Sequence, residues 1–338
     1  MTIVLLAGDE EQSSSGHKRT HSPVIDADES STKKHYAIAT TDTAFKHMLS
    51  VDDGDKDIVR SFLQAFVPSF EFDPIALIES CPVAIPVLRE KGEKQTFMDF
   101  HVRTENGVKY IIEMQAKRHI MFDERGWYYA CATYANQLTA AQLKSEHWYH
   151  NLKPVIAIQV LDYDSVRDNP LVSDQYIKHY SLTDQYSHQK IEYLQMIQVE
   201  LPRAKPVLKK KKKDHSLFTS AEWWIELLCF SSEYTDERIV ALKSNGVNMP
   251  EFFEKALKRL DMSIWAPQMQ REYEGDLTDR KAYATVLAVE RKEGLAEGEL
   301  KAKREIALEM LNDNEPDEKI IKYAKLSADE LAELKASI

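Results

Sequence analysis

Asp99 and Glu113 stand inside segments that are otherwise apolar or aromatic, Phe97-Met98-Asp99-Phe100-His101-Val102 and Val108-Lys109-Tyr110-Ile111-Ile112-Glu113-Met114-Gln115. A carboxylate in such company is costly unless it is neutralised, hydrogen-bonded or bound to a metal. Two carboxylates, joined by the carbonyl of an amide such as Gln115 or by a backbone oxygen, make the hard oxygen site that Mg²⁺ prefers. Such a site leaves positions for water and a phosphate oxygen. A cation there lowers the pKa of a bound water and offsets charge on a phosphate under attack, which is the chemistry of hydrolysis. The competing reading of the same spacing is a solvated strand face on which both acids pair with Lys or Arg neighbours.

Whether the two carboxylates meet depends on the elements that carry them. β-Branched and aromatic residues dominate both segments, and Glu105-Asn106-Gly107 separates them, which is a hairpin signal. A two-residue turn at Asn106-Gly107 would set Asp99 opposite Met114 and leave Glu113 on the other face. A three-residue Glu105-Asn106-Gly107 loop, with Gly107 in the left-handed conformation that glycine tolerates, sets Asp99 opposite Glu113. The second register is the expected one. Strand side chains alternate, so Glu113, Gln115 and Lys117 then share a face.

The flanking sequence supplies an α/β frame. Asp42 is a plausible N-cap for a helix through Leu49, and Ile58, Val59, Phe62, Leu63 and Phe66 form the stripe of a second helix over 55–67 that Pro68 stops. A long helix is expected over 121–146, weakest near its start where Gly126 disfavours helix. The apolar run Pro154–Leu161 reads as a central strand covered on both faces, with further strands at Tyr176–Leu182 and Leu194–Leu201. Helix, hairpin, long helix and buried strand describe one compact unit over 41–205. Before it, residues 1–40 are too polar to offset their ordering entropy and read as a disordered leader. After it, 206–265 reads as a basic loop and helical extension, with Lys209–Lys213 as the solvated loop and Trp223, Trp224, Phe252 and Phe253 on apolar stripes. Residues 266–338 read as a charged helical tail, ending in two short helices around Asn314-Glu315-Pro316 and Leu326-Ser327.

Composition narrows the classes. The 338 residues are 43% hydrophobic and 29% charged, with 10 Gly and 12 Pro, which fits one to three globular domains rather than a fibrous or wholly disordered chain. No apolar run approaches the roughly 18 residues of a spanning helix, so no membrane partner is expected. The Ile3–Ala7 stretch is too short for an export signal, and Cys81, Cys131 and Cys229 show no Cys-x-x-Cys spacing, so a reducing, cytoplasmic location is expected. A net charge of −11 gives no general attraction to phosphate backbones, so any nucleic-acid role needs local basic surface or a bound cation. His101, His119, His147 and His150 have no metal-ligand spacing, and Trp127, Tyr128, Tyr129 and Tyr134 have the near-helical spacing of core residues. Phosphate-loop, dinucleotide-turn and nucleophile-elbow motifs are absent from the sequence.

Several strings taken together carry a family resemblance. Thr41-Asp42-Thr43-Ala44-Phe45-Lys46-His47-Met48-Leu49, Met98-Asp99-Phe100, Ile111-Ile112-Glu113-Met114-Gln115, and Arg125-Gly126-Trp127-Tyr128-Tyr129 with Tyr134-Ala135-Asn136-Gln137-Leu138 occur in the order seen in the Rpn-type recombination-promoting nuclease and transposase family. That family is a branch of the PD-(D/E)XK nuclease superfamily, and the resemblance covers about 41–205, with a weaker echo at Ala307–Leu311. It implies a restriction-endonuclease-like core, a mixed sheet flanked by helices, and a Mg²⁺-dependent DNA endonuclease, with Mn²⁺ as an alternative ion, acting in recombination or transposition. Asp99 resembles the metal-binding aspartate, Glu113 the acidic member of the (D/E)XK motif, and Asp42 an additional acidic residue at the metal. Gln115 occupies the position of the motif lysine, while Lys46 and Gln137 match recurrent positions near the pocket. Glutamine can hydrogen-bond the attacking water but supplies no charge, so Lys117 or Lys46 is the candidate substitute. The alternative reading is a catalytically inactive scaffold that binds DNA or protein, with the C-terminal helices forming a homo-oligomer.

Overall fold

The computed structural model of the protein describes residues 35–51, 54–67, 75–84, 97–117, 122–163, 175–212 and 218–337. β1 (Ile75–Ala84), β2 (Phe97–Thr104) and β3 (Lys109–Gln115) form an antiparallel meander. β4 (Val155–Leu161) lies parallel to β3, β6 (Lys190–Glu200) lies parallel to β4, and β5 (Ile177–Thr183) closes the far edge antiparallel to β6. The sheet order is therefore β1-β2-β3-β4-β6-β5. All seven residues of β4 are buried, which is why its sequence is a continuous apolar run with a single exception, Gln159.

The hairpin adopts the three-residue loop. Phe100 pairs with Ile112 and Val102 with Tyr110, a register that places Asp99 across from Glu113. Thr104 N–H donates to Val108 C=O at 3.0 Å and Gly107 N–H to Thr104 C=O at 2.9 Å, closing Glu105-Asn106-Gly107. Gly107 has φ +89°, a conformation that a side chain would strain.

Helices cover both faces of the sheet. On one face, α1 (Asp42–Leu49) and α2 (Asp57–Phe66) bring Phe45 and Phe62 into a core with Phe100, Ile112, Ile158 and Val199. On the other, α3 (Phe122–Ala135) lays Tyr129 and Ala130 over Ile111, Val155, Ala157 and Met196. Each large apolar side chain buried this way stabilises by about 1.5–3 kcal/mol. The long helix expected over 121–146 is broken after α3. Gln137 turns its side chain onto the Lys153 backbone, and Thr139 opens a separate short helix, α4 (Ala140–Leu143), with a capping box to Gln142.

Downstream of the sheet the first core continues. α5 (Leu201–Lys211), α6 (Ser220–Phe230), α7 (Asp236–Ser244) and α8 (Glu251–Arg259) follow β6, and Leu201, Trp224 and Phe253 are fully buried in the core shared with α1 and α2. Lys209–Lys212 differ from the expected solvated loop: they form the last turn of α5 and its C-cap, where Lys211 and Lys212 pair with Glu222 and Glu226 of α6. Cations suit a helix C-terminus, whose free carbonyls carry partial negative charge. Lys213 lies outside the described residues, as do residues 1–34 of the leader. The rest of the leader is packed: Ala37 and Ala39 are buried, and Ala37 N–H donates to Leu260 C=O at 2.8 Å.

The 46-residue helix α9 (Pro267–Asn312) begins against the core through Tyr273 and ends in a small cluster with α10 (Asp317–Ala324) and α11 (Ala328–Ala336). The two terminal helices flank the expected breaks at 314–316 and 326–327. Among the described residues no helix is long and apolar enough to cross a membrane.

Candidate active site

The β2–β3 register brings Asp99 and Glu113 side by side on the face that α3 covers, at the end of the sheet away from the hairpin loop. Asp99 Oδ2 accepts the Met114 N–H at 2.8 Å, and Lys46 Nζ lies 3.7 Å from Asp99 Oδ1. Glu113 is 6% exposed, and its Oε1 is buried with no hydrogen-bond partner among the described residues. Burial pushes the Glu113 carboxyl up to about 7; the Asp99 charge adds to the rise and Arg125 opposes it. Asp99 is also raised by burial, while the Met114 N–H and Lys46 pull it back. Two adjacent acids both held above the usual carboxylate range mark a place short of positive charge.

Asp42 and Lys46 come from α1. Thr41, not Asp42, is the N-cap: its backbone is extended and its hydroxyl accepts the Ala44 N–H, leaving Asp42 as the first helical residue. Asp42 therefore points outward, 60% exposed, and meets Lys46 one turn later at 2.6 Å. Lys46 bridges it to Asp99. Gln115 shares the Glu113 face, but its Nε2 donates to Lys117 C=O at 2.7 Å. The Lys117 ammonium lies over the Tyr283 ring of α9, 5.8 Å from its centroid. Gln137 is not brought to the carboxylates. Its amide holds Lys153, at the opposite end of the sheet, accepting from Lys153 N–H at 2.9 Å and donating to Lys153 C=O at 3.2 Å.

Other polar residues reach the same level of the sheet. Glu113 pairs in register with Gln159, and Gln159 with Gln198, so a polar row crosses the core at the height of the acids. Gln198 Nε2 donates to Gln159 Oε1 at 2.9 Å, while Gln159 Nε2 has no hydrogen-bond partner among the described residues. Gly126 of α3 lies directly over Gln159: a Cβ there would run into the Gln159 amide, so the first turns of α3 can approach the sheet only without one. The preceding residue, Arg125, thereby comes close enough for its charge to act on Glu113. In the sequence, a lone glutamine in an apolar strand and a glycine inside a helix were the available signals for this contact.

One face of α9 fastens the rim. Tyr273 Oη accepts Ile38 N–H at 2.9 Å, Asp276 accepts Thr43 N–H at 2.8 Å at the start of α1, and Arg280 binds Asp162 and Thr40. Asp162, whose N–H donates to Gln115 C=O at 3.0 Å, also binds Lys205 of α5. Residues 273, 276, 280 and 283 share one helical stripe.

A family model for PD-(D/E)XK nuclease family transposases matches residues 39–286. The chain belongs to that family. Its mixed sheet flanked by helices is the family's restriction-endonuclease-like fold, and the protein is a nuclease of the kind linked to transposition. The match reaches beyond the 41–205 span carried by the sequence motifs and ends just past Tyr283, so it takes in the stripe of α9 that fastens the rim of this nuclease. Comparison with curated proteins and with solved structures gives no match.

Among the described residues no three His, Cys, Asp or Glu side chains converge as metal ligands. Mg²⁺ keeps several waters and takes only one or two carboxylates, so a pair is enough. The orphaned, buried Glu113 Oε1 beside a second, partly buried acid fits such an ion.

Proposed function

We propose that this nuclease hydrolyses phosphodiester bonds within DNA, as a divalent-metal-dependent endonuclease acting in recombination or transposition. The observation that carries the reading is Glu113 Oε1, a buried carboxylate oxygen with no hydrogen-bond partner among the described residues, next to Asp99. In this reading Asp99 and Glu113 are the ligands of Mg²⁺ or Mn²⁺, which when bound supplies Lewis acidity and an acidified water. The Met114 N–H fixes the orientation of Asp99. Lys46 moderates its charge and is itself moderated by Asp42, which stands at the outer edge of the metal site. The Gln115 side chain turns toward Lys117, so its part is to hydrogen-bond the attacking water after a rotation. The water oxygen bonds to phosphorus as the bond to the leaving sugar oxygen breaks, and the proton lost by the water is balanced by protonation of that leaving oxygen.

Supercoiled-plasmid cleavage with Mg²⁺ or Mn²⁺, beside EDTA and the Asp99→Ala and Glu113→Ala variants, tests this function. Metal-dependent nicking lost in both variants is expected; nicking at the wild-type rate in either removes that residue from the site. A second reading, an inactive scaffold, is favoured by one observation: Gln115 carries no charge, Lys117 lies over Tyr283, and Lys46, which does reach Asp99, is shared with Asp42. Under that reading the folded wild type nicks nothing in either metal.

A further inference from the structure

Resting on the nuclease reading above, we propose that Arg125 grips the scissile phosphate and supplies the positive charge that Gln115 cannot. The cations around the carboxylates have distinct occupations. Lys46 is held between Asp42 and Asp99, and Lys117 lies over Tyr283. Arg125 also lies against rings, but its Nε is buried without a hydrogen-bond partner, and no ion pair holds its guanidinium, among the described residues. Burying even one hydrogen-bond donor of a cation unmet is expensive, and a group left so beside a nuclease's acids is explained by an anion that arrives with substrate.

The position is built rather than accidental. Gly126 lets this turn of α3 settle on Gln159, the register neighbour of Glu113, and so carries Arg125 toward the acids. The Phe122 and Tyr129 rings, 5.9 and 5.7 Å from the guanidinium, sit one turn before and after it and orient the guanidinium itself. A planar, pre-oriented guanidinium matches two phosphate oxygens at once, which an ammonium does not. A divalent ion offsets Asp99 and Glu113, and Asp42 offsets Lys46, which leaves Arg125, with the Lys117 ammonium over Tyr283, as the positive charge that meets a phosphodiester.

The test uses the full-length protein. Binding of a fluorescein-labelled duplex is followed by anisotropy against salt concentration, with Ca²⁺ replacing Mg²⁺ to suppress turnover, and single-turnover cleavage is measured in Mg²⁺. Arg125→Met keeps an unbranched apolar side chain at this position and removes the charge. It is expected to lower the slope of log affinity against log salt by about 0.9, one phosphate contact, and to slow cleavage about 10²–10³-fold. Gln115→Lys added to Arg125→Met should restore at least about tenfold of the lost rate by returning a cation to the motif position. If Arg125→Met fails to fold, Arg125→Gln takes its place. A charge-removing variant with wild-type salt slope and rate overturns the proposal. When Asp99→Asn abolishes cleavage and Arg125→Met leaves it unchanged, only the arginine assignment fails. A wild type that never cleaves, yet whose salt slope still depends on Arg125, sinks the nuclease reading and leaves the phosphate contact standing; an inert wild type indifferent to Arg125 overturns both.

Discussion

Replacing Glu113 by glutamine keeps the side chain's shape and removes its ionisation, and in the metal-free protein this should stabilise the fold. The folded-state pKa is about 7 against an ordinary value of 4.5, chiefly because the carboxyl is buried and has Asp99 as neighbour. Between those two values the folded state holds a proton that the unfolded state has released. Stability from this group is therefore fully present below 4.5 and is lost as pH rises through about 7. A difference of that size corresponds to about 3 kcal/mol once the carboxylate is fully ionised near pH 8.5, and to about 1 kcal/mol at pH 5.5. Thermal unfolding in EDTA across that range should show Glu113→Gln melting higher than wild type at every pH. The gap should widen to about 4–6 °C at the alkaline end, at about 2 °C per kcal/mol for a chain of this size. Adding Mg²⁺ should reverse the order, because only wild type keeps both ligands. Parallel melting curves with a constant gap, or a Glu113→Gln protein less stable than wild type at pH 8.5 without metal, would refute the view that an unneutralised charge is buried at this position.

Two further perturbations probe the frame. Asp162→Ala leaves Arg280, Lys205 and Thr40 without their shared carboxylate; since both cations are about a third exposed, the loss should be about 2 kcal/mol in urea unfolding, and a change below about 0.5 kcal/mol would show that this junction does not hold α9. Gly107→Ala should cost about 1–2 kcal/mol, because the loop needs φ +89° and the Lys153 stem must also shift away; an unaltered melting temperature would contradict the left-handed loop.

Local chemistry made part of this protein legible before its structure. Gly107 chose between two hairpin registers, since only a loop with a left-handed residue sets Asp99 against Glu113, and the apolar run of β4 declared a strand covered on both sides. Where side chains act across the fold, local pattern is silent. The helix expected through residue 146 stops at Ala135 because Gln137 finds the Lys153 backbone, a partner set by the return of β4. Lysines 209–211 end α5 and Lys212 caps it, and α6 presents Glu222 and Glu226 to the last two of them. Arg280 and Asp162 are 118 positions apart, and nothing local in either segment announces their pairing. Gly126 shows the limit most directly. Its poor helix propensity was visible in the sequence, whereas the reason for it, close approach to Gln159 beside the carboxylates, belongs to the packed sheet.

That Asp99 and Glu113 together hold a divalent ion is tested most directly by titrating Mn²⁺ into the metal-free protein at pH 8, following the heat of binding for wild type, Asp99→Asn and Glu113→Gln. One Mn²⁺ site in wild type, lost in both variants while their circular dichroism spectra stay native, is the expected result. Equal Mn²⁺ binding by wild type and both variants would contradict a metal centre built on these two carboxylates.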